Sequence, residues 1–463
     1  MASPTLAKQS EKSSHKIRRP SNLDPMSSTM LAALRDLNTR YVYVLQMAQV
    51  VRIPTLTRPE IDIYHPSVFM SSLEQQKISG SLVSRQWIGW SERHNVYKLS
   101  YDPGQDLFTS EGNLNTWIPS NIKAIEGDIT LWLDYLDRIF ASDPTYRDWF
   151  LAWLAYPIQN PGAKLHTAVV FWSEQTATGK SMLGRIMSAI YGPHNYAQID
   201  ESTLHNPFNF WMNCRQFVMG EEMKGISNAK HIDRMKAMIT QQVCYVNIKN
   251  RAQFELKDRI NYYFTSNHPD ALFLDSNDRR FFVHNLGDKQ YPAGLYRDHF
   301  EPWFLNGGAA AIRYYLEHID LSKPIVGGDP YSLTPAPFNP GAAAPQSEAR
   351  KQMVLANRDD AEDWIEELID NPDTALRGSP RTLATAPELF DFFLKTYSHS
   401  KVPYKTFCTR LRARLKPVYS DNKLTLFDGQ KIKVYPLRRS EKPWSEWTHD
   451  ELVSAYEAQV TSE

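Results

Sequence analysis

Residues 166–192, HTAVVFWSEQTATGKSMLGRIMSAIYG, decide how the chain is read. Ala168–Trp172 is an unbroken apolar run, rich in β-branched and aromatic residues and the length of a strand. SEQTATG is small and polar, as a loop should be. From Gly179 onward Met182, Leu183, Ile186 and Ile190 recur on one face of a helix. A strand, a glycine-containing loop and an amphipathic helix in that order aim the free N–H groups of the helix start at the loop, and such a start is a site for anions. The tripeptide Gly179-Lys180-Ser181 completes a phosphate-binding loop. Backbone from Thr178 to Met182 would cradle phosphates, Lys180 would reach the terminal ones, and the Ser181 hydroxyl would bind magnesium. The pattern GxxxxGK[ST] is met only in part, because Glu174 stands at the first glycine position and Ala177 replaces a further loop glycine. A carboxylate at 174 must turn away from the phosphates or weaken their binding. GKS alone is also an ordinary helix start, and the flanking strand and helix carry the reading.

Two later strand ends fit the same site. RQFVMGEEM (215–223) closes a short apolar strand on paired carboxylates. Glu221 would hold magnesium and Glu222 would polarise the attacking water in an in-line phosphoryl transfer, the competing reading being a solvated acidic turn. INYYFTSN (260–267) ends in an amide, so Asn267 could reach a γ-phosphate or the water between the other two strands; the alternative is an Asn in the turn before His268-Pro269. In SNDRRFFV (276–283), Arg279 and Arg280 precede a new strand, suiting an arginine supplied to a neighbouring subunit's nucleotide. At least one of them is expected to pair with Asp275 or Asp278.

Beyond this core, 463 residues with 42 % apolar and 22 % charged content describe a mostly folded chain of several domains. Lys plus Arg equals Asp plus Glu at 52 each, so nucleic-acid binding would have to come from local clusters. Cys214, Cys244 and Cys408 are too scattered for a disulfide framework or a cysteine zinc module. With no membrane-length apolar run and no signal-peptide pattern at the start, a soluble, cytoplasmic protein is expected. Residues 1–28 read as a disordered leader, 29–125 as a small β-rich module, and 126–322 as a helical collar plus α/β core. A Pro/Gly/Ala-rich linker (323–350), a basic domain (351–445) and a tail (446–463) complete the chain. Between 376 and 442, fifteen Lys/Arg face five Asp/Glu. Two amphipathic helices, Pro387–Tyr397 and Pro403–Leu415, precede a hairpin turning at Asp428-Gly429, which suggests a winged-helix-like domain. Its second helix would bring Lys405, Arg410, Arg412 and Arg414 to DNA, and its wing Lys431 and Lys433. A basic surface that merely solubilises the domain or docks a protein is the alternative.

In order, SEQTATGKS, FVMGEEM, VNIKNRAQFELKDR, FTSN and DRRFF resemble the Walker A, Walker B, B-prime, motif C and arginine-finger elements of superfamily 3 helicases. The nearer likeness is to the phage and mobile-element branch related to poxvirus-type primase-helicases, in which a helical segment similar to WFLAWLAYPIQNPGAK precedes the phosphate loop. The resemblance implies a P-loop AAA+-like core, ATP and Mg2+ at the interfaces of a homo-oligomer, a hexamer in that family, and 3′-to-5′ movement on single-stranded DNA. It also implies a DNA-gripping hairpin, mapped here onto Lys249, Arg251 and Lys257. Glu60-Ile61-Asp62 falls short of the acids of a primase-polymerase, so no attached primase is expected, and recruitment of a separate primase as a partner is left open. The expectation is an ATP-dependent DNA helicase that replicates a phage or mobile element from its own origin in a bacterial cytoplasm. The alternatives are an origin-binding initiator with a weak or inactive ATPase, motivated by Glu174 and Ala177, and a packaging or regulatory P-loop motor.

Overall fold

The computed structural model describes residues 26–223, 229–247, 249, 253–275, 277–418 and 423–461. The apolar run after Thr167 is strand β1 (Ala168–Trp172), buried along its whole length. It joins β2 (Tyr196–Ile199), β3 (Phe217–Gly220), β4 (Asn261–Ser266) and β5 (Phe281–Asn285) in one sheet of order β2-β3-β4-β1-β5. All of its pairings are parallel. Every residue of β3 and β4 is buried as well, which explains why these strands read as continuous apolar runs: a parallel sheet covered on both faces leaves no polar side. The fold is mixed α/β around this sheet.

Alternate residues of the strands feed two cores. Val169, Phe171, Phe217, Tyr263 and Phe282 face helices α1 (Thr130–Ile139), α2 (Arg147–Gln159) and α3 (Lys180–Tyr191). Val170, Trp172, Val218, Tyr262, Phe264 and Val283 face the other way, toward the amino-terminal module and the segment after β3. Helix α2 buries Trp149 through Ala155 without a polar stripe, as a helix packed on all sides must. Because β4 lies between β1 and β3, their carboxyl ends meet. Ser266 stands opposite Trp172 in register, and Phe264 opposite Gly220.

The amino-terminal module is mixed rather than β-rich. Its sheet (Tyr41–Val44, Gln49–Arg52, Ile63–Tyr64, Asn95–Val96) is preceded by a helix, Ser28–Arg40, and carries helices Pro66–Ser72 and Val83–Gly89. Ser27 caps the first helix, which buries Met30, Leu34 and Leu37 at i, i+4 and i+7. That signal sits at the edge of a Ser/Lys/Pro-rich stretch, whose composition masked it; residues 1–25 of the expected leader lie outside the described residues.

The expected linker is a strap bound to the core. Ile325 bridges Ala336, Pro340 O accepts from His166 N at 3.2 Å, Ala344 N donates to Arg279 O at 2.7 Å, and Phe338 packs on Trp149 and Tyr156. Its prolines prevent regular structure but not packing. Beyond it come α4 (Asp360–Asp370), a strand (Leu383–Thr385), α5 (Ala386–Thr396) and α6 (Tyr404–Arg414). A two-stranded ribbon follows (Leu424–Thr425 with Lys431–Ile432), and Val434–Pro436 pairs antiparallel with Leu383–Thr385. The expected tail forms a helix, His449–Thr461, that buries Leu452, Val453 and Tyr456. No helix among the described residues is long and apolar enough to cross a membrane.

Candidate functional site

The loop between β1 and α3 is held from three sides. Tyr135 of α1 donates to Gly179 O at 3.2 Å, Tyr263 of β4 donates to Lys180 O at 2.8 Å, and Tyr291 N donates to Ala177 O at 2.8 Å. Gly179 sits at φ +97°, and a Cβ there would lie 3.2 Å from the Tyr135 ring. Glycine is therefore required at 179 both by its backbone and by its neighbour. Ala177 also adopts positive φ, +59°, which costs a residue with a Cβ about 1 kcal/mol. Glu174 is exposed and does not line the cleft beside the loop.

Lys180 is buried, and its ammonium donates to Ser173 O and Gln175 O, both at 3.1 Å. Burial pulls its pKa down to about 8. A cation with only neutral carbonyl partners is electrostatically uncompensated, which suits an incoming anion. Beside it the Thr178 hydroxyl is buried, with no hydrogen-bond partner among the described residues. The Ser181 hydroxyl donates to the Glu221 carboxylate, whose other oxygen accepts from the Gln198 amide. These oxygen donors match the preference of magnesium, which would take the place of the proton that Ser181 now shares with Glu221. Glu222 follows at φ +51° and is exposed. The chain then returns to β4, Met223 N donating to Thr265 O at 2.9 Å and Ser266 Oγ to Met223 O at 2.6 Å. Asn267, half-buried, ends β4 beside them.

Thr178, Gly179, Lys180, Ser181, Met182, Glu221, Glu222 and Asn267 all line one cleft of about 550 Å³. Arg185, Tyr291 and Tyr296 complete its wall, and Gln198 supports Glu221 from β2; sequence reasoning passed over all of these. Arg185 donates to Glu301 at 2.8 Å and to the Tyr296 hydroxyl. Its place one helical turn after Ser181 was a usable signal. The tyrosines follow β5 in a segment with no motif.

The remaining candidates lie apart from the cleft. Arg280 pairs with Asp278 at 3.4 Å, as one of the two arginines was expected to; Arg279 is exposed. The basic stretch forms a hairpin, Val243–Val246 with Phe254–Lys257, and Lys249 is exposed in its turn. Arg251 lies outside the described residues. Lys257 is not at the tip: it stands opposite Val243 at the root and pairs with Asp102 at 2.9 Å. In the carboxyl-terminal domain Lys405 and Arg412 are exposed on α6, as is Lys431 in the ribbon. Arg410, half-buried, faces α4, paired with Glu362 at 3.0 Å; Arg414 also pairs with an acid of α4, Glu366, but stays exposed, so part of the charge of both arginines offsets an acidic helix. The acids of α4 lie outside the basic window, which is why the charge count overstated the free positive surface.

Comparison with known proteins gives three findings. Residues 171–280, from β1 to the start of β5, match the model of a family of unknown function (DUF5906). The chain is 27% identical over 197 residues to the DNA primase-polymerase of Nitratiruptor phage NrS-1, a match covering 41% of this chain and 27% of that protein. It is similar in fold to the apo structure of the NrS-1 C-terminal region (305–718), at TM-score 0.61 and 17% identity, covering 89% of this chain and 100% of that one. The A form of the same region gives TM-score 0.62 at 16% identity.

Proposed function

We propose that the chain is an ATP-driven DNA helicase acting in the replication of a phage or mobile element, built on a P-loop AAA+-like core with a winged-helix-like domain behind it. The observation that carries this reading is the meeting of Lys180, Ser181, Glu221, Glu222 and Asn267 in one cleft at the ends of three adjacent parallel strands. The similarity to a phage primase-polymerase and to the fold of its C-terminal region supports a role in phage DNA replication. The order of α4, strand, α5, α6, ribbon and strand supports the winged-helix reading, since two helices and a strand-bounded wing are its working parts.

In this reading the first-turn N–H groups of α3 and the Lys180 ammonium bind the triphosphate, and Thr178 gains a partner for its hydroxyl. Ser181 and Glu221 would hold magnesium, which would supply neutralising charge to the phosphate oxygens. Glu222 accepts the proton of the attacking water, and Asn267 orients that water against the γ-phosphate. Arg279 reaches a neighbouring subunit's site in a ring, and Lys249 contacts the single strand.

A second reading, an origin-binding initiator with a weak ATPase, is favoured by the strained Ala177, whereas Glu174, turned away from the cleft, no longer speaks for it. A strand-displacement assay on a forked duplex separates the two. Unwinding that needs ATP and disappears in Lys180→Ala supports the helicase. DNA-stimulated hydrolysis without unwinding indicates another class of motor, and DNA binding without hydrolysis indicates the initiator.

A further inference from the structure

Three large aromatic side chains are exposed beside the hairpin, although a solvated surface gains nothing from them: Phe208 (42 % exposed), Phe210 (44 %) and Tyr245 (61 %). Sequence separates the phenylalanines from the tyrosine, and the fold brings them together. Asn209, between the two phenylalanines, donates from Nδ2 to Tyr245 O at 2.9 Å and accepts from Asn247 N at 2.7 Å. Asn209 N also donates to Asn247 O at 3.3 Å, and Asn247 Nδ2 donates to Pro207 O at 3.1 Å. The loop before β3 is thus stitched to the outer side of the hairpin strand Val243–Val246. On that strand Cys244 and Val246 are buried and Tyr245 faces out. The strand leads directly into the turn bearing exposed Lys249.

We infer that Phe208, Phe210 and Tyr245 form a stacking platform for the bases of a single strand of nucleic acid whose phosphates meet Lys249. The inference rests on the hairpin being a nucleic-acid element, and it adds the groups that hold bases rather than backbone. Exposed rings on a hydrogen-bonded seam are held in place, so little ordering is needed on binding. Stacking needs open base faces, which a duplex keeps covered by its own neighbours, so the partner is single-stranded. Because every base has such a face, binding is indifferent to sequence.

Fluorescence anisotropy of labelled oligo(dT) with the full chain, across a salt series, tests the platform. Phe208→Ala, Phe210→Ala and Tyr245→Ala should each weaken binding by about 5- to 150-fold, the range expected for losing one stacked base. The slope of log affinity against log salt should stay unchanged in these variants, because every phosphate keeps its cation. Tyr245→Phe should bind as wild type. Lys249→Ala should instead lower the slope by about 0.7. If the aromatic variants bind normally while Lys249→Ala is impaired, the platform is overturned and the hairpin reading stands. If Lys249→Ala is also silent, the hairpin reading falls with it. Loss of assembly in the aromatic variants by mass photometry, with unchanged oligo(dT) affinity, marks the rings as a subunit contact and overturns the platform.

Discussion

Lys180 concentrates the chemistry of the cleft in one side chain. Burial holds its pKa near 8, and a bound triphosphate would restore a counter-charge and raise it again. Binding must then take up a proton once the pH exceeds the value in the empty protein. Triphosphate affinity is expected to be level below about pH 8 and to fall above it, by up to roughly tenfold per pH unit. Calorimetric titration at several pH values reads this directly, and a flat profile from about pH 7 to 9.5 would show that Lys180 does not meet the phosphates. Gly179 is a second point of leverage. Gly179→Ala combines a disfavoured φ with a contact on Tyr135 and should reduce nucleotide affinity at least tenfold, a loss of about 1.4 kcal/mol. Equal affinity in that variant would mean the loop need not keep its shape.

At the scale of elements, the hairpin root is sewn to the core by a buried ion pair. Lys164, just before β1, meets Asp258, just before β4, at 2.6 Å, and Asp258 also accepts from Gln241 at 2.7 Å. Asp258→Asn leaves a buried ammonium without its counter-ion and should cost about 3 to 5 kcal/mol in urea unfolding, whereas Lys164→Met with Asp258→Asn should recover much of it. Equal stability of the single and double variants would refute a coupled pair. In the carboxyl-terminal domain, removing outward charges and inward ones should differ. Lys405→Ala with Arg412→Ala should weaken duplex binding and shallow its salt dependence by about 2, one for each phosphate no longer neutralised, and Arg410→Ala should leave that slope unchanged while destabilising the domain. If Arg410→Ala alters the slope as well, its pairing with α4 opens on DNA.

What the sequence revealed at this scale follows from how far each signal reaches. Strands β1, β3 and β4 and helix α3 were legible because burial on both faces or along one stripe writes itself into consecutive residues. The grouping of Lys180, Glu221 and Asn267 was legible because each ends such a strand or begins the helix. Tyr291, Tyr296 and Gln198 were not, since only the packing of the chain brings them near the phosphate loop. Pairings across elements were invisible for the same reason: Lys257 with Asp102, and Arg410 with Glu362, join a residue whose local window reads simply as basic to an acid far away in sequence. The acidic helix α4 and the strap show the converse error, in which composition suggested a linker and a uniformly basic domain where long-range partners had already been supplied.

For the whole molecule, the strap binds the outward arginine to the core. Ala344 N fixes Arg279 O, and the helix Glu348–Ala356 that follows sends Arg350 to Asp275 O at 3.0 Å. Arg279 is thereby presented from a braced loop, which suits the proposed action on another subunit. Arg279→Ala should bind nucleotide normally yet lose hydrolysis by about 10³-fold or more. Mixing it with Lys180→Ala should restore part of the activity, because the proposed ring, when mixed, would contain interfaces with both groups intact; no recovery on mixing would contradict action between subunits. The most direct test of the central claim, that the cleft turns over a triphosphate, is steady-state ATP hydrolysis by the full chain with single-stranded DNA, comparing wild type with Glu222→Gln. The account predicts DNA-stimulated turnover in wild type and a fall of about 10²-fold or more in Glu222→Gln with nucleotide binding retained. Equal turnover in the two proteins, or none in wild type, would contradict it.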